Sequence, residues 1–213
     1  MIDTGEGSPA EIAASLRDMQ FVNRAFGGES TTLRMIRKVA ARSARKNLTL
    51  LEIGAGLGRV PLFAREILAP SGIRLSVTLL DRVHSHLNPL ECCIVGDALA
   101  PPFRDEAFDV VSCCLFTHHL EPPEVLAYAN EALRVARVAV LINDLVRHPL
   151  HFALAYAARP LYQSRLSRHD APISVHRAYT VHEMRRILDQ SNATQVEVRQ
   201  GYLYRMGAIA WKR

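Results

Sequence analysis

Hydrophobic and polar positions follow two different periods along this chain. Over residues 10–45 the apolar side chains recur at helical spacing, with a break at Gly27 and Gly28, which predicts two helices within residues 1–45. Further along, short apolar runs predict strands at 48–53, 74–81, 91–97, 108–116 and 137–144, with helical patterns at 60–68 and 122–136. Strands that alternate with helices are typical of a mostly parallel sheet with helices on both faces.

The alternation stops at residues 145–178. An apolar stretch with helical spacing comes first, and a polar stretch follows it that we expect to be a loop. We interpret 145–178 as an insertion that covers the substrate above the carboxyl ends of the strands, where such sheets bind ligands. A helix at 180–190 and two strands on either side of Gly201 then predict a closing hairpin. The predicted fold class is therefore α/β, with a doubly wound sheet of seven strands.

Length and composition set the broad class. The 213 residues are 49% hydrophobic, which suits a single domain over 1–213 with a sizeable core. No apolar run is long enough to cross a bilayer, and the N-terminal residues lack the pattern of a signal peptide. We therefore expect a cytoplasmic protein without a transmembrane segment. The sequence leaves the oligomeric state open, including a homodimer.

The charge pattern bears on the partners. The net charge of +5 comes from scattered arginines without a block of like charges, which gives little support to nucleic-acid binding. A mildly basic surface of this kind is also attracted to anionic lipid. The four cysteines lack metal-site spacing, and no cluster of acids and histidines has convincing ligand spacing, so we predict no metal site.

The most informative motif lies directly after the first strand. The segment Glu52-Ile-Gly54-Ala-Gly56-Leu-Gly58 combines a tight turn with bare backbone that a ligand can approach. The helix that follows directs its positive end at the bound group. By itself, a glycine turn of this kind is compatible with binding a nicotinamide or flavin dinucleotide, with binding S-adenosylmethionine, and with a purely structural role.

Two acids narrow the choice. Asp81 ends the second strand, where a carboxylate can accept hydrogen bonds from both hydroxyl groups of a ribose. Asp97 ends the third strand, where a carboxylate can accept the amino group of an adenine. Either aspartate could instead cap a helix or a turn. Their order after successive strands favours a nucleoside-binding site over a mere turn.

This constellation resembles the class I S-adenosylmethionine-dependent methyltransferases over residues 45–144. The resemblance implies a Rossmann-like sheet whose last strand is antiparallel, with S-adenosylmethionine (SAM) as cofactor and S-adenosylhomocysteine (SAH) as product. It implies that the glycine turn holds the methionine part, that Asp81 binds the ribose and that Asp97 binds the adenine. The cofactor residues that we expect are Glu52, Gly54, Ala55, Gly56, Gly58, Asp81, Arg82, Asp97, Ala98 and Cys114.

Finer details resemble a subgroup that methylates small molecules. The segment FTHHL after the fourth strand resembles the same region of ubiquinone- and menaquinone-type methyltransferases. Residues 143–156 and 168–180 resemble bacterial methyltransferases associated with polyketide and phenolic-lipid enzymes. This resemblance implies secondary metabolism and a small, rather apolar substrate, such as a phenol, quinone precursor or polyketide, that is methylated at oxygen or carbon.

Several residues are candidates for the chemistry. His118, His119 and His169 could each act as a base, because an imidazole titrates near neutrality. Each could instead be structural, and His169 could simply pair with Asp170 in solvent. The candidates for substrate contact are Asn143, Asp144, Tyr156 and Tyr162.

Three other functions stay open. A nicotinamide-dependent oxidoreductase has the same type of fold, although no Tyr-x-x-x-Lys pair is present. A protein of this fold could also bind the cofactor without turnover. A nucleic-acid methyltransferase is the third, although the Asn-Pro-Pro-Tyr type of motif is missing after the fourth strand.

Overall fold

The computed structural model describes residues 8–212, which form one seven-stranded sheet with helices on both faces. The strands are β1 Asn47–Ile53, β2 Arg74–Asp81, β3 Cys92–Val95, β4 Phe108–Cys114, β5 Ala136–Leu145, β6 Gln195–Gln200 and β7 Arg205–Trp211. The helices are α1 Pro9–Ala25, α2 Gly28–Ser43, α3 Arg59–Leu68, α4 Pro122–Val135, α5 Pro149–Ala157, α6 Arg165–Arg177 and α7 Val181–Leu188.

The strand order is β3-β2-β1-β4-β5-β7-β6. Strands β1 to β5 pair in parallel, whereas β7 is antiparallel to both β5 and β6. The predicted Rossmann-like α/β fold is therefore confirmed, including the reversed last strand. The hairpin inserts β7 between β5 and β6, so β6 forms the edge of the sheet.

The central strands are buried on both faces. Leu50, Leu51, Val110 and Val111 are consecutive pairs in β1 and β4, and none of them is exposed. Successive side chains of a strand point to opposite faces, so both faces must be covered. One face packs against α2 and α3, and the other against α4 and α7.

The two predicted N-terminal helices are confirmed as α1 and α2, and residues 1–7 of the predicted 1–45 region lie outside the described residues. Helix α1 is joined to α6 by buried polar contacts. The Asp18 carboxylate accepts hydrogen bonds from the backbone N–H groups of Gln163 and Ser164, at 3.1 and 2.9 Å. The hydroxyls of Ser15 and Ser167 lie 2.9 Å apart. These contacts place α1 beside the 145–178 segment.

The loop predicted for the polar half of the 145–178 segment is wrong, because residues 165–177 form α6. The Ser164 side chain caps this helix by accepting a hydrogen bond from the N–H of Leu166. Pro172 lies inside the helix and cannot donate to the carbonyl of Arg168. The Nε atom of Arg159 donates to that carbonyl instead, at 3.1 Å. This replacement and the burial of Leu166 allow a polar, proline-containing stretch to be helical.

We predict that Gly58→Ala destabilises the protein more than Gly72→Ala. Both glycines have positive φ, 64° and 77°, so both alanines are strained by about 1 kcal/mol. At Gly58 the new Cβ would also lie 2.6 Å from a methyl carbon of buried Leu79, whereas nothing lies within 4 Å at Gly72. Urea unfolding of both variants checks this, and equal losses of unfolding free energy would contradict it.

Candidate active site

One cavity of about 600 Å³ lies at the carboxyl ends of the parallel strands. Its volume is in the range of small-molecule and cofactor sites. It brings together most of the residues that the sequence singled out. Those that line it are Glu52, Gly54, Ala55, Gly56, Gly58, Asp81, Arg82, Asp97, Ala98, Cys114, His118, His119 and Tyr162.

The end of β2 holds the glycine turn in place. One oxygen of the Asp81 carboxylate accepts a hydrogen bond from the N–H of Gly56 at 2.9 Å. The other accepts from the N–H of Val83 at 3.0 Å. Each carboxylate oxygen has a second lone pair, so Asp81 can still accept hydrogen bonds from a bound diol.

A second acid and a histidine lie near this end of the cavity. The Asp97 carboxylate accepts a hydrogen bond from the N–H of Leu99 at 2.9 Å, which fixes the turn after β3. His86 also lines the cavity and is almost completely buried. Its Nδ1 lies 3.9 Å from the Asp81 carboxylate, and its buried Nε2 has no hydrogen-bond partner within residues 8–212. His86 was not among the site residues predicted from the sequence.

Glu52 is buried at the end of β1. Burial raises the pKa of its carboxyl to about 7, although a hydrogen bond from the Ser112 hydroxyl partly opposes this shift. The carboxyl therefore changes its charge near neutral pH. A cationic group in the cavity would favour its ionised form.

His118 is held by Asp144 at the turn after β4. The Nδ1 of His118 lies 2.7 Å from one Asp144 oxygen, while Thr117 donates its hydroxyl to the other at 2.6 Å. Burial alone would raise the pKa of Asp144, but the charge interaction and hydrogen bond with His118 hold it well below its usual range. An ionised Asp144 accepts a hydrogen bond from the Nδ1–H group, so a neutral His118 carries its lone pair on Nε2.

Four of the candidate residues do not line the cavity. Asp144 contacts His118, which lines the cavity, but Asp144 does not line it itself. Asn143, the preceding residue of β5, faces the other side of the sheet and donates to the Gly28 carbonyl and the Thr32 hydroxyl, both at 2.7 Å. The other two are Tyr156, which is 57% exposed, and His169, whose Nδ1 lies 2.8 Å from an Asp170 oxygen on the surface of α6.

The structure adds part of α1 to the cavity wall. Ser15, Leu16, Met19 and Asn23 line the cavity from this helix. The sequence carries no local signal for these contacts, because α1 is distant in the chain from the strand ends that it covers.

A buried arginine lies behind Asn23. Arg205 is 1% exposed, and its Nη2 donates to the side-chain oxygen of Asn23 at 2.8 Å. Its Nε and Nη1 atoms have no hydrogen-bond partner within residues 8–212. The Cys114 thiol also donates to Asn23, at 3.5 Å, and burial raises the pKa of this thiol to about 12. Asn23 is thereby held at the cavity wall by two donors.

The residues of the cavity fit a nucleoside cofactor. The glycine turn, Asp81 and Asp97 all open onto the same space, although they follow three different strands. Carboxylates suit the hydroxyls of a ribose and the amino group of an adenine, and the backbone of the turn can be approached closely. Within residues 8–212, no three side chains of the types that bind metals are grouped so that they could hold an ion.

Comparison with known proteins agrees with this site. Residues 51–140 match the family described as a methyltransferase domain. They include the glycine turn, both aspartates and the two histidines. No curated protein matches the chain.

Solved structures show the same fold at low identity. A SAM-dependent methyltransferase from Aquifex aeolicus is 16% identical, with a TM-score of 0.64 over 98% of this chain and 100% of that one. The plantazolicin methyltransferase BpumL, in complex with a triazolic desmethylPZN analog and SAH, is 14% identical, with a TM-score of 0.68 over 97% and 92%. The CMeT domain of the citrinin polyketide synthase is 14% identical, with a TM-score of 0.57 over 78% of this chain and 46% of that one. This chain thus spans less than half the length of the last.

The fold, the residues of the cavity and the family match over residues 51–140 all agree with the class I SAM-dependent methyltransferases. The methyltransferase-domain match over residues 51–140 and the SAH-bound structure of the same fold support SAM as the cofactor. The resemblance found in the sequence is confirmed at the level of this class.

We predict that Asp81→Asn weakens SAH binding about 10- to 100-fold, as expected for the loss of charge-assisted hydrogen bonds. An amide at this position also places an N–H group near the N–H of Gly56 or of Val83. Calorimetry with SAH measures the effect. Asp105→Asn is the matched control, because the Asp105 side chain is 75% exposed and pairs with Arg134. Equal affinity of wild type and Asp81→Asn would contradict the role of Asp81.

We predict that Glu52 makes the protein less stable as pH rises from about 4.5 to about 7. In this window the folded state keeps a proton on Glu52 that the unfolded state has released, so unfolding becomes easier with rising pH. The loss reaches up to about 3 kcal/mol and levels off above the folded pKa.

Urea unfolding of wild type and Glu52→Gln across this window isolates the contribution of Glu52. The glutamine variant cannot titrate here, so its curve of stability against pH should fall less steeply. Parallel curves for the two proteins would show that Glu52 ionises at its ordinary pKa.

Proposed function

We propose that this chain is a SAM-dependent methyltransferase that acts on a small, rather apolar molecule, such as a phenol, quinone precursor or polyketide, at oxygen or carbon. The observation that carries the proposal is the His118–Asp144 pair at the cavity, 2.7 Å apart. A fixed imidazole beside the cofactor site suits an acceptor that must lose a proton as it is methylated.

The cofactor, when bound, supplies a methyl group on a positively charged sulfur, which makes that carbon electrophilic. The chain must hold the acceptor in line with the methyl group and exclude water. His118 would take the proton of a hydroxyl, or of an acidic carbon, on its Nε2 atom. Asp144 would keep the ring oriented and stabilise the positive charge that forms on it.

His118 suits the role of base because it lines the cavity and its ring is oriented by the buried Asp144 carboxylate. His119 also lines the cavity, and its ring lies against that of His118 with centroids 4.1 Å apart. His169 lies on the surface of α6 and does not line the cavity. Asp144, predicted as a substrate contact, would be a positioning residue for His118.

The wall of the cavity supports an apolar acceptor. Beyond the glycine turn it includes Leu16, Met19, Phe116 and Leu120, and helix α5 adds Ala155. The 145–178 segment would cover the substrate through its cavity-lining side chains, among them Tyr162. Proteins of this fold with small-molecule or polyketide substrates in their names lend further support.

SAH formation across a panel of phenols, enols and β-dicarbonyl compounds tests the proposal. With an accepted substrate, we predict that His118→Gln lowers kcat about 10²- to 10⁴-fold while the affinity for SAH stays unchanged. Asp144→Asn should also lower kcat and should shift the pH profile of kcat/KM, because it changes the tautomer of His118.

Two results would count against the proposal. Methylation by His118→Gln at the wild-type rate would exclude His118 as the base. Binding of SAH without product from any member of the panel would favour a protein that binds the cofactor without turnover. His182→Gln is the control, because this histidine lies on α7 and does not line the cavity.

A further inference from the structure

Helix α5 is an apolar helix that the fold leaves exposed. Its sequence, PLHFALAYA, has no charged residue, and none of its residues is buried. Single exposed apolar side chains are ordinary, but a contiguous group marks a surface that binds something. The α5 patch, as we call this group, consists of Leu150, Phe152, Leu154 and Tyr156, which are 41–57% exposed, and Leu161, which is 80% exposed.

The two faces of α5 have different surroundings. His151 and Ala155 are one turn apart and line the cavity. Leu150 and Leu154 are also one turn apart and are about half exposed. The helix thus separates the cavity from solvent while offering apolar side chains to both.

The 145–178 segment around the patch is basic. It contains five arginines and one acid, Asp170, which is a net charge of +4 in a chain whose total is +5. Arg147, Arg165 and Arg177 pair with glutamates. Arg159 and Arg168 have no carboxylate within 4 Å in residues 8–212, and their Nε atoms donate to backbone carbonyls.

We propose that the α5 patch docks on the surface of an anionic lipid bilayer. Leucine and aromatic side chains on a short helix with flanking arginines are the features of a helix that lies in the membrane interface. No helix within residues 8–212 is long and apolar enough to cross a bilayer, so α5 would lie along the surface. Its nine residues would cover roughly 14 Å of that surface.

The charges favour lipid over a second copy of this chain. A two-fold dimer built on the α5 patch would bring the same arginines towards one another across the interface. Like charges in that position oppose association. An anionic lipid surface instead offers the opposite charge to the arginines of this segment.

Docking would place the cavity next to the bilayer, since α5 forms part of its wall. If the proposed function holds, the acceptor would be a molecule dissolved in the membrane. The docking itself does not depend on the acceptor, so it can be tested without one.

Cosedimentation with vesicles tests the proposal, using phosphatidylcholine alone and phosphatidylcholine with about one-third phosphatidylglycerol. We expect binding to the anionic vesicles that weakens with salt, and little binding to the neutral ones. Leu150→Ser/Leu154→Ser should weaken binding about tenfold or more. Arg159→Gln should weaken it about fivefold. All of these variants should bind SAH as the wild type does.

Matched controls separate the effect of the α5 patch on vesicle binding from the effect of an exposed leucine or arginine elsewhere on the surface. Leu90→Ser removes a 90% exposed leucine from the loop before β3, and Arg199→Gln removes an exposed arginine from β6, and both should leave vesicle binding unchanged. Equal binding to both kinds of vesicle, or an equal effect of Leu90→Ser, would overturn the proposal. Self-association in sedimentation velocity that Leu150→Ser/Leu154→Ser abolishes, without vesicle binding, would assign the patch to a dimer. SAH calorimetry and the acceptor panel report separately on the proposed function.

Discussion

The site depends on the hydrogen bond between the Asp81 carboxylate and the N–H of Gly56. Ordering a glycine turn costs much conformational entropy. The hydrogen bond to Asp81 fixes the turn to the end of the neighbouring strand. The same carboxylate also fixes Val83 and so the first turn beyond β2. One acid therefore shapes two walls of the cavity and keeps free lone pairs for a ligand. The parallel pairing of β1 and β2 brings these groups together.

A second carboxylate, that of the buried Asp144, orients a cavity residue at the ends of β4 and β5. Asp144 is fully buried, yet it accepts hydrogen bonds from Thr117, from the backbone of His118 and Leu145, and from the His118 ring. A buried carboxylate is tolerated only with such a complete set of partners. The chain thus builds a fixed histidine at the cavity from the ends of two adjacent strands, β4 and β5. Glu52 lacks such a set, and its pKa of about 7 reflects that difference.

The sequence predicted the parts of the site that follow from strand order alone. The glycine turn, Asp81 and Asp97 each end or follow a parallel strand, and such ends meet at one edge of a sheet. It could not distinguish Asn143 from Asp144, because adjacent residues of a strand face opposite sides and the sequence does not state which side faces the cavity. It predicted the helix α1 but not its contribution to the cavity wall, because α1 is held there by contacts such as Asp18 with Gln163, far away in the chain. The helix α6 was not predicted, because its stability depends on Ser164 and Arg159, and both residues lie outside the polar residue pattern of the helix itself.

The contacts of Asp18 and Ser15 have a consequence for the entry of ligands. They join α1 and the 145–178 segment above the cavity, so separating the two would leave the Asp18 carboxylate buried or hydrated without its backbone donors. The two parts of this cover would therefore have to move together, with the chain links that join them to α2, β5 and α7. The exchange of cofactor and product would be gated by a single collective motion rather than by two independent flaps.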